Sequence, residues 1–94
     1  MSKEPNSVFI GRARIMDYVL AVITIFSRGG TKEVTLKARG QAISTAVDVA
    51  EITRRKFIKN LRVEHVNLGT EEMPNQEGGT RSVSTIEITL TKSF

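Results

Sequence analysis

The chain has 94 residues, with 14 Lys and Arg against 10 Asp and Glu and a formal charge of +4 at neutral pH. That length makes one small domain with a single core. With no cysteine and His65 as the only histidine, disulfides, thiolate metal sites and histidine metal clusters are excluded, and a Ser-His-Asp arrangement is disfavoured. The charge favours an anionic partner, although an idle basic surface would give the same balance. The aromatics are Phe9, Tyr18, Phe26, Phe57 and Phe94, too few for a sheet with several exposed stacking rings.

In chain order, residues 1–6 are polar and are expected to form a loose tail, with no sign of a signal peptide. Residues 7–10 make a short apolar strand stopped by Gly11, and Arg12-Ala13-Arg14 is a basic loop. A helix follows over residues 15–27. Its apolar residues lie nearly all round, whereas a surface helix needs one stripe. In so small a domain the expected second cover is another subunit. The run is also too short, and too interrupted by Asp17 and Thr24, to span a bilayer.

Arg28-Gly29-Gly30-Thr31 is a turn, and residues 32–37 alternate with the period of a strand. The junction Lys37-Ala38-Arg39-Gly40-Gln41 leads into a second helix over residues 41–59. A strand end feeding a helix start offers free N–H groups and the positive end of a dipole, a seat for a phosphate. Ala42, Ile43, Ala46, Val47, Val49, Ala50 and Phe57 share one face of that helix, and Glu51 and Arg55 form an i,i+4 pair. Residues 61–68 form a third strand whose alternation slips at Glu64-His65, marking a bulge. Residues 69–80 are polar and turn-like, with Glu71, Glu72 and Glu77 placed on a protruding tip. Residues 82–92 are the last strand. The order β-α-β-α-β-β describes a two-layer α/β domain with a mixed four-stranded sheet and a β3–β4 hairpin arm at residues 69–81.

No Walker loop, G-x-G-x-x-G or G-x-S-x-G occurs. Asp48 and Glu51 share a helical face three residues apart, but a solvated face balanced by arginine explains them better than a hydrolytic pair. The parts of a catalytic site are missing, so the chain is read as a binding protein with no cofactor and no metal.

The segments Val8-Phe9-Ile10-Gly11, Met16-Asp17-Tyr18-Val19-Leu20-Ala21-Val22, Lys37-Ala38-Arg39-Gly40, Ala42-Ile43-Ser44, Ala46-Val47-Asp48 and Glu51-Ile52 together resemble the Alba family. So do Phe57 and Arg81-Ser82-Val83-Ser84-Thr85-Ile86-Glu87-Ile88, and the likeness spans residues 7–92 in unbroken order. The resemblance implies an archaeal chromatin protein, associated with the chromosome in the cytoplasm. It would bind double-stranded DNA, and RNA as well, with little sequence preference. It further implies a fold similar to the C-terminal domain of a bacterial translation initiation factor, and homodimers that coat and compact DNA. In such dimers two basic loops lie over the duplex backbone while paired hairpin arms follow the grooves. A second Alba-like chain could replace one copy, and an alternative places RNA as the main partner.

Carried onto this sequence, Arg12 matches the first lysine of the family's basic loop, Ala13 stands at the second lysine, and Arg14 replaces a proline. Lysine acetylation in that loop thus has no target here. Arg39 matches the arginine beside the junction glycine, and Gln41 stands where a second arginine is common. The nucleic-acid contacts implied are Arg12, Arg14, Lys37, Arg39, Gln41 and Arg81. Phe57 matches the phenylalanine that joins neighbouring dimers.

Overall fold

A computed structural model describes residues 6–93 of the chain. Its elements are β1 (Ser7–Phe9), α1 (Ile15–Phe26), β2 (Glu33–Arg39), α2 (Ala42–Ile52) with an appended π-helical turn (Thr53–Phe57), β3 (Leu61–Pro74) and β4 (Thr80–Lys92). The strands form one sheet in the order β1-β2-β4-β3, parallel between β1 and β2 and antiparallel elsewhere. This is the mixed-sheet α/β architecture expected from the sequence. The expected tail lies outside the described residues except for Asn6, whose carbonyl accepts a hydrogen bond from the Thr35 N–H at 2.9 Å.

Strand alternation places the core. On β2, Val34, Leu36 and Ala38 are buried, while Thr35 and Lys37 between them are half-exposed; β4 repeats the pattern with Ile86, Ile88 and Leu90. The buried set meets Val19, Val22, Ile25 and Phe26 of α1 and Ala46, Val49 and Ala50 of α2. Each fully buried leucine, such as Leu36 and Leu90, contributes about 1.5–3 kcal/mol relative to an exposed one.

Helix α1 starts after the extended residue Arg14, whose N–H donates to the Asp17 carboxylate at 3.3 Å while the Asp17 N–H donates back to the Arg14 carbonyl at 3.0 Å. This reciprocal pair satisfies two end groups and sets an acid at the positive end of the dipole. The sheet and α2 cover more of α1 than its sequence suggests. Tyr18, Ala21 and Ile23 pack against the core margin, and Met16 and Leu20 remain exposed. The longer uncovered apolar stripe lies on β3. Val63, Val66 and Leu68 pair with Leu90, Ile88 and Ile86 and so point to the helix side of the sheet. β3 is an edge strand, and Leu68 there is 79% exposed.

Several boundaries differ from the sequence reading, three of them with a clear cause. β2 continues through Ala38 and Arg39 because β4 pairs with both. The α-helical part of α2 stops at Ile52, seven residues short of the expected end. There the buried Thr53 hydroxyl donates to the Val49 carbonyl at 2.7 Å, and the Ile58 N–H bonds the Thr53 carbonyl at 2.8 Å, closing a wider turn. The polar stretch after Leu68 is paired strand as far as Pro74, with only residues 75–79 left as the turn. Hence Glu71 and Glu72 belong to β3, and Glu77 alone of the three acids is at the tip. The bulge falls between Val63 and His65, as the slipped alternation predicts. The arm stretches the molecule to 49 Å, against 25 and 21 Å across. Among the described residues no helix is long and apolar enough to cross a membrane.

Candidate nucleic-acid interface

Three loops and strand ends converge where the hairpin leaves the body. The chain leaving β1 forms the Arg12 loop, β2 ends at Arg39, and β4 brings Arg81 opposite Met73 of β3. Between them lies an open depression of about 810 Å³, whose lining includes Arg12, Arg39, Gln41, Thr45 and Arg81. No carboxylate lines it among the described residues. Three guanidiniums around one concavity make a seat for phosphate oxygens, since each offers several N–H donors in a planar fork.

Local structure holds these cations in place. The Tyr18 hydroxyl accepts hydrogen bonds from the N–H groups of Gly11 at 2.8 Å and Ala13 at 3.0 Å, so the loop is fastened on both sides of Arg12. Gly40 turns the chain from β2 into α2 with φ at +57°, and a Cβ there would also lie 3.5 Å from Val83. Its N–H donates to the Ser84 carbonyl at 2.9 Å, tying the junction to β4. The Gln41 side chain makes no capping hydrogen bond, and no acid stands in the first turn of α2. The Ile43 N–H is taken by the Gly40 carbonyl at 3.2 Å, and the helix start, with no side-chain cap, adds the positive end of its dipole to the same wall.

Arg12, Arg39, Gln41 and Arg81 thus meet in one place. Lys37 and Arg14 lie outside the lining. Lys37 lies two residues before Arg39 on β2, facing the open side of the sheet. Its ammonium is 3.8 Å from Glu87 and 5.7 Å from the centre of the exposed Phe9 ring. It reaches a second hollow that shares Arg39 with the first. Arg14 extends from the helix start, its side chain 88% exposed and 3.7 Å from Asp17. Phe57 is 48% exposed at the end of the π-helical turn, remote in sequence and element from the depression. Glu51, considered as half of a hydrolytic pair, instead accepts from Arg54 on both oxygens at 2.8 and 3.2 Å.

Two participants escaped the sequence reading. Tyr18 looked like one apolar residue among many on α1, and only the loop's return shows its hydroxyl at work. Glu71 accepts from Arg39 Nη1 at 2.7 Å, a contact between strands that no local pattern encodes.

The family model described as Alba matches residues 6–70. The DNA/RNA-binding protein Alba 1 of Archaeoglobus fulgidus is 52% identical over 87 residues, covering 93% of this chain and 96% of its own. The DNA/RNA-binding protein Alba of Picrophilus torridus is 46% identical over 89 residues, covering 95% and 98%. Among solved structures, Alba from Thermoplasma volcanium superposes with a TM-score of 0.86 at 47% identity, covering 93% of this chain and all of that one.

Proposed function

The chain belongs to the Alba family, and from that premise we propose that it binds DNA and RNA by gripping the phosphate backbone. The observation that carries this reading is the convergence of Arg12, Arg39 and Arg81 with the uncapped start of α2 around one acid-free concavity. The names of the archaeal relatives, which pair DNA with RNA, support both as partners. Arg14 and Lys37 flank that concavity and extend the positive surface. A grip on phosphates, which repeat at every step of the duplex, carries no sequence information, so sequence preference is expected to be weak.

Two copies double this surface. The uncovered stripe of Val63, Val66 and Leu68 on edge strand β3 suits burial against a second copy, because apolar area at a sheet edge gains most when a like surface covers it. Successive dimers then coat the duplex, with Phe57 in the contact between neighbours, and so compact chromosomal DNA.

A salt titration tests the mechanism. If roughly six phosphates are engaged per dimer, log affinity for duplex DNA falls with log salt at a slope of about −5. A slope near zero would remove the backbone-charge mechanism. Arg12→Ala lowers affinity for all duplex sequences alike, and a loss confined to one sequence would point to base readout instead. Matched DNA and RNA duplexes compared at one salt concentration rank the two partners.

A further inference from the structure

The contact between Arg39 and Glu71 sets an anion at the edge of a site built for anions, in the neighbouring hollow that shares Arg39 with it. Arg39 ends β2 and pairs with Thr85 of β4, which in turn pairs with Gly69 of β3. Its guanidinium crosses the width of β4 to reach Glu71, two residues further along β3. Nη1 donates to the Glu71 carboxylate at 2.7 Å and lies 3.6 Å from the Met73 sulfur, so both of its hydrogens are directed at β3. Both side chains of the ion pair are about half-exposed, at 54% and 51%, so an incoming phosphate can reach them.

We propose that Glu71 is a built-in competitor for the nucleic-acid phosphate at Arg39, holding affinity below what the cations alone would give. This rests on the backbone-binding reading above. Two arrangements of the bound state are possible for Arg39, and Glu71 opposes binding in both. If the phosphate takes the Nη1 edge, the Glu71 ion pair must break and a bare carboxylate is left beside the phosphate. If the phosphate takes the remaining Nε and Nη2 edge, the carboxylate stays within one guanidinium width of it, and the two anions repel. Glu72 has no such role, because its carboxylate accepts from the Ser82 hydroxyl at 2.9 Å and neighbouring residues on a strand face opposite ways.

The competitor also accounts for the balance of charge in the site. Gln41 and Ala13 already stand where the family resemblance suggests cations, and Glu71 offsets part of a third. The grip on nucleic acid is thereby shifted toward Arg12 and Arg81, whose side chains line the depression with no carboxylate beside them in its lining.

The test is a cycle of Glu71→Gln, Arg39→Ala and the double variant, titrated with labelled DNA and RNA duplexes of one sequence at one salt concentration. Glu71→Gln is expected to bind about two- to five-fold tighter, the scale of an exposed ion pair. In the Arg39→Ala background the same change is expected to have no effect. Glu77→Gln, which removes the same charge at the hairpin turn, serves as control and leaves affinity near that of the unmodified chain. Unchanged or weaker binding by Glu71→Gln would overturn the proposal, as would an equal gain in the Arg39→Ala background, which would reduce Glu71 to bulk charge. Failure of both the unmodified chain and Glu71→Gln to bind either duplex would overturn the backbone-binding reading itself.

Discussion

The hydroxyl of Tyr18 stands 2.8 Å from the backbone nitrogen of Gly11, making a core-margin residue of α1 the clasp of the basic loop. The same oxygen accepts the Ala13 N–H at 3.0 Å. Arg12, between these two anchors, has its backbone fixed while its side chain stays in the solvent. The arrangement lowers the entropy lost when a phosphate is engaged.

Tyr18→Phe keeps the ring and removes the acceptor. The two N–H groups are then left to water, and stability falls by about 1 kcal/mol. Hydrogen exchange at Gly11 and Ala13 should accelerate, and affinity for duplex DNA should drop with little change in the salt slope, because no cation is lost. Exchange as slow as in the unmodified chain would show that the loop is held by something other than this hydroxyl.

The order of elements, the bulge at Val63/His65 and the buried alternation of β2 and β4 were all legible in the sequence, since each is written in local apolar periodicity. The hairpin arm was legible as a protrusion at residues 69–81, but its strand pairing out to Pro74 and Thr80 was not. Thr70, Glu71 and Glu72 are polar because both faces of an isolated two-stranded arm meet water, so the pattern that marks a half-buried strand is absent. The end of α2 was hidden for a different reason. The basic run Arg54-Arg55-Lys56 suits a helix C-terminus, and what distinguishes a π-helical turn from a continued α-helix is the Ile58 N–H bonding five residues back to the Thr53 carbonyl. In the candidate site, the cations could be named from the sequence. Which of them share a concavity depended on where β2, β4 and the loop end in space. That separation left Lys37 beside Glu87 and Phe9 rather than beside Arg12.

Leu68→Asp probes the self-association surface proposed on β3. Leu68 is 79% exposed, so the fold of the single chain should survive, with an unchanged circular dichroism spectrum. The mass in solution should fall to that of one 10.4 kDa chain. With half of the cations per bound particle, the salt slope should fall to about half of −5. A dimer that persists in Leu68→Asp would move the interface away from β3.

Phe57 is the residue proposed for a separate contact, between dimers. It is 48% exposed and follows Arg54, Arg55 and Lys56 on the π-helical turn. An exposed ring among cations has little to gain within one chain and more in a contact between neighbours. Phe57→Ala should leave the mass of the free protein unchanged and make binding along a long duplex less cooperative, with a shallower saturation curve. Undiminished cooperativity would return Phe57 to ordinary packing at the helix end.

Glu51 supplies a pH-dependent signature of the α2 surface. The hydrogen bond from Arg54, helped by its charge and that of Arg55, holds the Glu51 carboxyl below the usual value of 4.5. A carboxyl whose pKa is lower in the folded chain than in the unfolded one stabilises the fold fully above the unfolded value. That contribution is lost as pH falls through the lower, folded value. The side chain is 38% exposed, so solvent screening keeps the contribution to about 0.3–0.5 kcal/mol. Glu51→Gln should therefore melt about 1–4 °C lower than the unmodified chain at neutral pH. The gap should narrow as pH drops below the ordinary carboxylate range and should shrink in high salt, because the Arg54 and Arg55 charges are screened. If the two melting temperatures stay equally far apart in strongly acidic solution, the difference comes from packing on α2 and not from the ion pair.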